Sequence, residues 1–108
     1  MQTVRILAEA SQEAVEAAAW YEHEQIGLGS ELFATLDAAF DVIEENLVPL
    51  SPLPDEIGYI GAKRLILDRF PCDVIAIELP EETVVIALAH QSRKLGYWRE
   101  RSKLSGGL

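Results

Sequence analysis

The feature that most constrains the fold of this chain is a change of hydrophobic period at its middle. Before the proline cluster Pro49, Pro52 and Pro54, charged and apolar residues recur at helical spacing; after it, short β-branched runs are separated by turn residues. Helices gathered in one half and strands in the other define the α+β class. A length of 108 residues holds one domain, spanning residues 1–108, and lets roughly two-thirds of the unfolded surface be buried.

The opening stretch from Thr3 to Ala8 predicts a first strand, and Ser11 predicts a helix cap with Glu13 and Glu16 near the positive end of the helix dipole. Ala14, Ala17, Ala18 and Tyr21 then form a narrow apolar stripe whose small side chains allow close packing. Gly27-Leu28-Gly29-Ser30 reads as a helix stop, a turn and a new cap, and Phe33, Leu36, Phe40, Ile43 and Leu47 place a wider stripe on one face of a second helix. So short a turn makes the two helices antiparallel. Their remaining carboxylates, including Glu9, Glu13, Glu16, Glu24, Glu31, Asp37, Asp41, Glu44 and Glu45, read as a solvated surface.

Strand candidates follow at Lys63 to Phe70, Asp73 to Leu79 and Thr83 to His90, with Pro71 and the Pro80-Glu81-Glu82 turn between them. Connections this short make antiparallel hairpins. The expected architecture is an antiparallel twisted sheet with an N-terminal helical hairpin packed on one face, in the order β-α-α-β-β-β; the tail from Gly96 to Lys103 adds a last helical turn.

The single cysteine, Cys72, excludes an internal disulfide and a cysteine-rich zinc site and fits a reducing compartment. The longest apolar run, Val84 to Ala89, is six residues, against about twenty for a membrane-spanning helix. A cytoplasmic protein without a membrane partner, a metal or another cofactor is the expectation.

The formal charge of −9 argues against a surface that tracks nucleic acid. Its distribution says more. Residues 1–62 hold one basic and twelve acidic residues, while residues 63–108 hold eight basic and six acidic ones. Lys63, Arg64, Arg69, Arg93, Lys94, Arg99, Arg101 and Lys103 thus all lie on strands or tail, where a sheet face left open by the helices can become cationic. His90, Arg93, Tyr97 and Trp98 fall close together in the same half. Histidine and tyrosine can move the protons of an RNA cleavage, arginine can hold two phosphate oxygens, and Tyr97 or Trp98 can stack on a base. The structural alternatives are a hydrogen-bonding His90 that closes a core strand, a Trp98 that anchors the tail, and a buried, inert thiol at Cys72.

Several segments together resemble the RelE/ParE superfamily of toxins from type II toxin-antitoxin modules, often labelled plasmid stabilisation proteins. They are Ala17-Ala18-Ala19-Trp20-Tyr21-Glu22, Gly27-Leu28-Gly29 with Phe33, Lys63-Arg64 before Arg69-Phe70-Pro71, and Ala89-His90-Gln91-Ser92-Arg93 leading to Gly96-Tyr97-Trp98-Arg99-Glu100-Arg101. The sequence departs from the common pattern at Cys72, where Tyr frequently follows Phe-Pro, and at Ala76, where another aromatic is common.

The resemblance implies a growth-arresting toxin held by a cognate antitoxin, with DNA gyrase as target in the ParE-like mode and the ribosome with mRNA in the RelE-like mode. Only the RelE-like mode is enzymatic: a metal-independent endoribonuclease with His90, Arg93 and Tyr97 as its catalytic set. Lys63, Arg64, Arg69, Trp98 and Arg99 are the expected contacts to phosphate or target. A third expectation is a family member that binds its antitoxin without potent toxicity.

Overall fold

The computed structural model describes residues 3–45, 50–52, 62–67 and 69–90. Strand β1 (Thr3–Ile6) leads into α1 (Ala8–Glu24) and α2 (Leu28–Glu44), followed by β2 (Ser51–Pro52), β3 (Ala62–Ile66), β4 (Cys72–Glu78) and β5 (Glu82–His90). The expected order of elements is present. The expected strand boundaries hold at Thr3 and His90 and shift by one to four residues elsewhere, and an additional two-residue β2 falls inside the proline cluster.

Among the described residues the strands form one sheet in the order β1-β5-β4-β3-β2. Neighbours from β5 to β2 run antiparallel, joined between β4 and β5 by a tight turn in which the Leu79 N–H donates to the Glu82 carbonyl at 2.7 Å. The β1 strand differs: it pairs parallel to β5, with Thr3 opposite Glu82 and Ile6 opposite Val85, so the sheet is mixed rather than wholly antiparallel. No short hairpin constrains this pair, because both helices and three strands intervene between its members. A bulge between Ile75 and Ala76 pairs these residues with Ala87 and Val85, leaving Ile86 as the extra residue of β5.

Alanine, the best helix former, supplies much of α1. This helix starts earlier than the Ser11 cap predicts. Leu7 donates its N–H to the Val85 carbonyl at 3.0 Å, and its own carbonyl accepts from Ser11 at 3.0 Å, so the chain passes from sheet to helix in one residue. Ser11 therefore lies inside the first turn.

The second helix also starts before its expected cap, at Leu28 rather than after Ser30. Gly27 holds φ at 91°, in the left-handed region where a Cβ is strained. The helix-start amides there are met by Glu22 of α1, whose carboxylate accepts from the Gly27 N–H at 2.9 and 3.0 Å and from the Gly29 N–H at 3.0 Å. A carboxylate at a helix N-terminus satisfies unpaired donors and opposes the positive end of the dipole. Gly29 is buried, and a Cβ built on it would lie 2.6 Å from the Ala18 carbonyl oxygen.

This contact sets the face that α2 buries: Gly29, Leu32, Leu36, Ala39 and Ile43. The expected stripe shares only Leu36 and Ile43 with it. Phe40 is half-buried, Phe33 is exposed, and Leu47 lies outside the described residues. The helices pack on the sheet face formed by Cys72, Val74, Ala76, Val85 and Leu88. Ala62, Ile75, Ile77, Val84, Ile86, Ala87 and Ala89 form a second buried cluster, so β4 and β5 are buried on both faces. The strand part of the expected cationic face is thus apolar.

Candidate functional site

Four of the residues expected to carry chemistry are described: Lys63, Arg64, Arg69 and His90. Arg93, Tyr97, Trp98 and Arg99 lie outside the described residues, as does the expected tail helix. The alternation of side chains along a strand separates Lys63 from Arg64. Lys63, opposite Ala76, belongs to the helix-covered face and pairs with Glu78. Arg64, opposite Ile75, belongs to the other face, where its Nη1 lies 3.6 Å from Oδ2 of the nearly buried Asp73. Arg69 reaches across to α2, donating from Nη2 to Glu31 Oε1 at 3.2 Å.

Arg5, the remaining described cation, donates from Nη2 and Nε to Glu82 at 3.0 and 3.3 Å, and this carboxylate raises its already high pKa. Every lysine and arginine among the described residues is therefore ion-paired. The strands do not present the array of unspent positive charge that a phosphate-gripping surface needs.

His90 ends β5 beside Cys72 of β4 and stands at a different place from the cations. It lines a cleft of about 330 Å³ with Glu13, Glu16, Ala17, Trp20 and Tyr21 of α1 and with Cys72 and Leu88 of the sheet. Helical spacing puts Glu13, Glu16, Ala17 and Trp20 on one stripe of α1. Glu13 is held from the sheet side, its Oε1 accepting the Leu88 N–H at 3.0 Å. This carboxylate is therefore part of the fold, against the expectation that it belongs to a wholly solvated surface.

At the cleft floor, burial pushes the pKa of both Tyr21 and Cys72 upward. The nearby Cys72 thiol raises Tyr21 further, whereas the Tyr21 hydroxyl, by hydrogen-bonding to the sulfur, partly offsets the rise at Cys72. A thiol so held stays protonated and unreactive, in line with the inert reading of Cys72. Tyr21 also packs edge-on against Phe70 and Trp20, at 5.0 Å between centroids in each case. The aromatic series runs from the core to Trp20, which is 59% exposed.

The sequence reading missed Glu22 and the cleft on α1. The spacing of Glu13, Glu16 and Trp20 was visible, but their meeting with His90 depends on the pairing of β5 with the helix. A separate apolar groove of about 230 Å³ lies between the helices over the sheet, with exposed Ile6, Val15 and Phe33 on its lining. Among the described residues no group of three His, Cys, Asp or Glu side chains could hold a metal ion, and no helix is long and apolar enough to cross a membrane.

These elements in this order form a ParE-like α+β fold, as the sequence resemblance implies. The solved structure of the chromosomal ParDE TA system from P. aeruginosa contains a similar chain: the TM-score is 0.70 at 12% sequence identity, with 83% of this chain and 96% of that chain covered. No family model matches the sequence, and no curated protein matches it.

Proposed function

We propose that this chain is the toxin of a type II toxin-antitoxin module and that it arrests growth by binding DNA gyrase. The observation that carries the first part is the fold likeness to a chain of a ParDE TA system, which extends over 83% of this chain. The preference for gyrase is supported by the consumption of the described cations. Lys63, Arg64 and Arg69 each have a carboxylate partner, and the described lining of the cleft that holds His90 contains Glu13 and Glu16 but no lysine or arginine. Acidic surroundings oppose the approach of RNA, whereas a protein target tolerates them.

The antitoxin is the natural occupant of the apolar groove between the helices, where Ile6, Val15 and Phe33 offer exposed apolar surface for burial. Induction without an antitoxin should stop growth, and the purified protein should inhibit supercoiling by gyrase. Unchanged supercoiling at a large excess of protein would remove the gyrase reading. Codon-phased cuts in a translating extract would instead support a ribosome-dependent mRNA endonuclease, and normal growth on induction would leave an antitoxin-binding protein without potent toxicity.

A further inference from the structure

The cleft beside α1 is built to recognise a positive charge, and we infer that it receives an arginine side chain from a polypeptide partner. This inference goes beyond the proposed toxicity and does not depend on it. The indole of Trp20 lines the cleft while remaining 59% exposed, and its edge contact with Tyr21, itself against Phe70, fixes it to the core. Glu16 stands one helical turn before Trp20 on the same stripe, and Glu13 stands one turn further, oriented by the backbone of β5.

An aromatic ring with an exposed carboxylate beside it, here Glu16, attracts a cation twice, through the ring quadrupole and through direct ion pairing. Arginine uses both at once, because its planar guanidinium stacks on the ring while its edge donates to a carboxylate. The volume, about 330 Å³, lies at the small end of ligand pockets and suits one long side chain rather than a whole helix. The charge of the chain favours the same occupant: at −9, it attracts a basic segment and repels an acidic one.

The test is an NMR titration of the full-length ¹⁵N-labelled protein with acetyl-Ala-Arg-Ala-amide and with its citrulline counterpart, which keeps the shape and lacks the charge. The arginine peptide should shift the Trp20 indole and the Leu88 and His90 amides, saturating at a concentration about fivefold below that of the citrulline peptide, and added salt should weaken it. Glu16→Gln, at an exposed position that leaves the fold intact, should remove most of that preference. Trp20→Leu should weaken binding of the arginine peptide while the remaining spectrum stays folded. Equal titration by the two peptides, shifts confined to another surface, or an unaltered preference in Glu16→Gln would overturn the inference.

Discussion

The two halves of the chain use their charges in different ways. In the helical half, carboxylates meet backbone: Glu22 bonds the first amides of α2, and Glu13 bonds the Leu88 amide of β5. In the strand half, cations meet carboxylates near the surface, as Lys63 does with Glu78 and Arg69 with Glu31. A carboxylate on a backbone donor satisfies a group that folding has taken from water, whereas an exposed ion pair exchanges one solvated arrangement for another. The acidic half therefore contains carboxylates that are part of the fold, whereas Lys63 and Arg69 of the basic half are neutralised at little gain in stability.

The largest effect should come where the helices touch. Gly29→Ala places a methyl group against the Ala18 carbonyl and should cost about 1–3 kcal/mol, read as a lower denaturation midpoint with an unchanged slope. Glu13→Ala withdraws the acceptor from the Leu88 N–H and should cost about 1–2 kcal/mol, whereas the neighbouring Glu16→Ala should stay within about 0.5 kcal/mol. Equal losses at these two positions would break the distinction between carboxylates that meet backbone and those that do not.

A smaller effect should appear at alkaline pH. The folded protein keeps the Cys72 thiol protonated to a higher pH than the unfolded chain does, so the unfolded chain loses its proton first as pH rises past 9. Stability contributed by the neutral thiol is complete below that range and declines above it. Melting curves of the wild type should fall there more steeply than those of Cys72→Ala, and iodoacetamide should label the native thiol slowly. The smallest effect should come from the strand cations: Lys63→Ala should change stability by less than about 1 kcal/mol, and the change should vanish in high salt.

The element order, the helical hairpin and the strand-rich second half were legible because each rests on local signals: the period of the apolar residues, Gly27, and the turns at Pro71 and Pro80. The direction of β1 was not, since parallel pairing with β5 is decided by the path of the whole intervening chain. The buried face of α2 was misjudged because the large residue Phe33 outweighed Gly29, although the smaller residue sets the closest approach to α1. The site was partly legible. His90 and the basic residues were named from sequence, but the carboxylates that neutralise the strand cations come from β4 and α2, and no sequence spacing reveals those partners.

The parallel β1–β5 pair also bears on the order in which the protein can assemble during its synthesis. Arg5 is separated from its partner Glu82 by 77 positions, so the first strand emerges from the ribosome long before the strand that receives it exists. The hairpin, whose contacts are local, can form meanwhile, and the sheet closes around β1 only once β5 is available. Pulse-labelled hydrogen exchange during refolding should accordingly find the amides of β1 protected after those shared by β4 and β5. A strand made early would then be among the last to find its place.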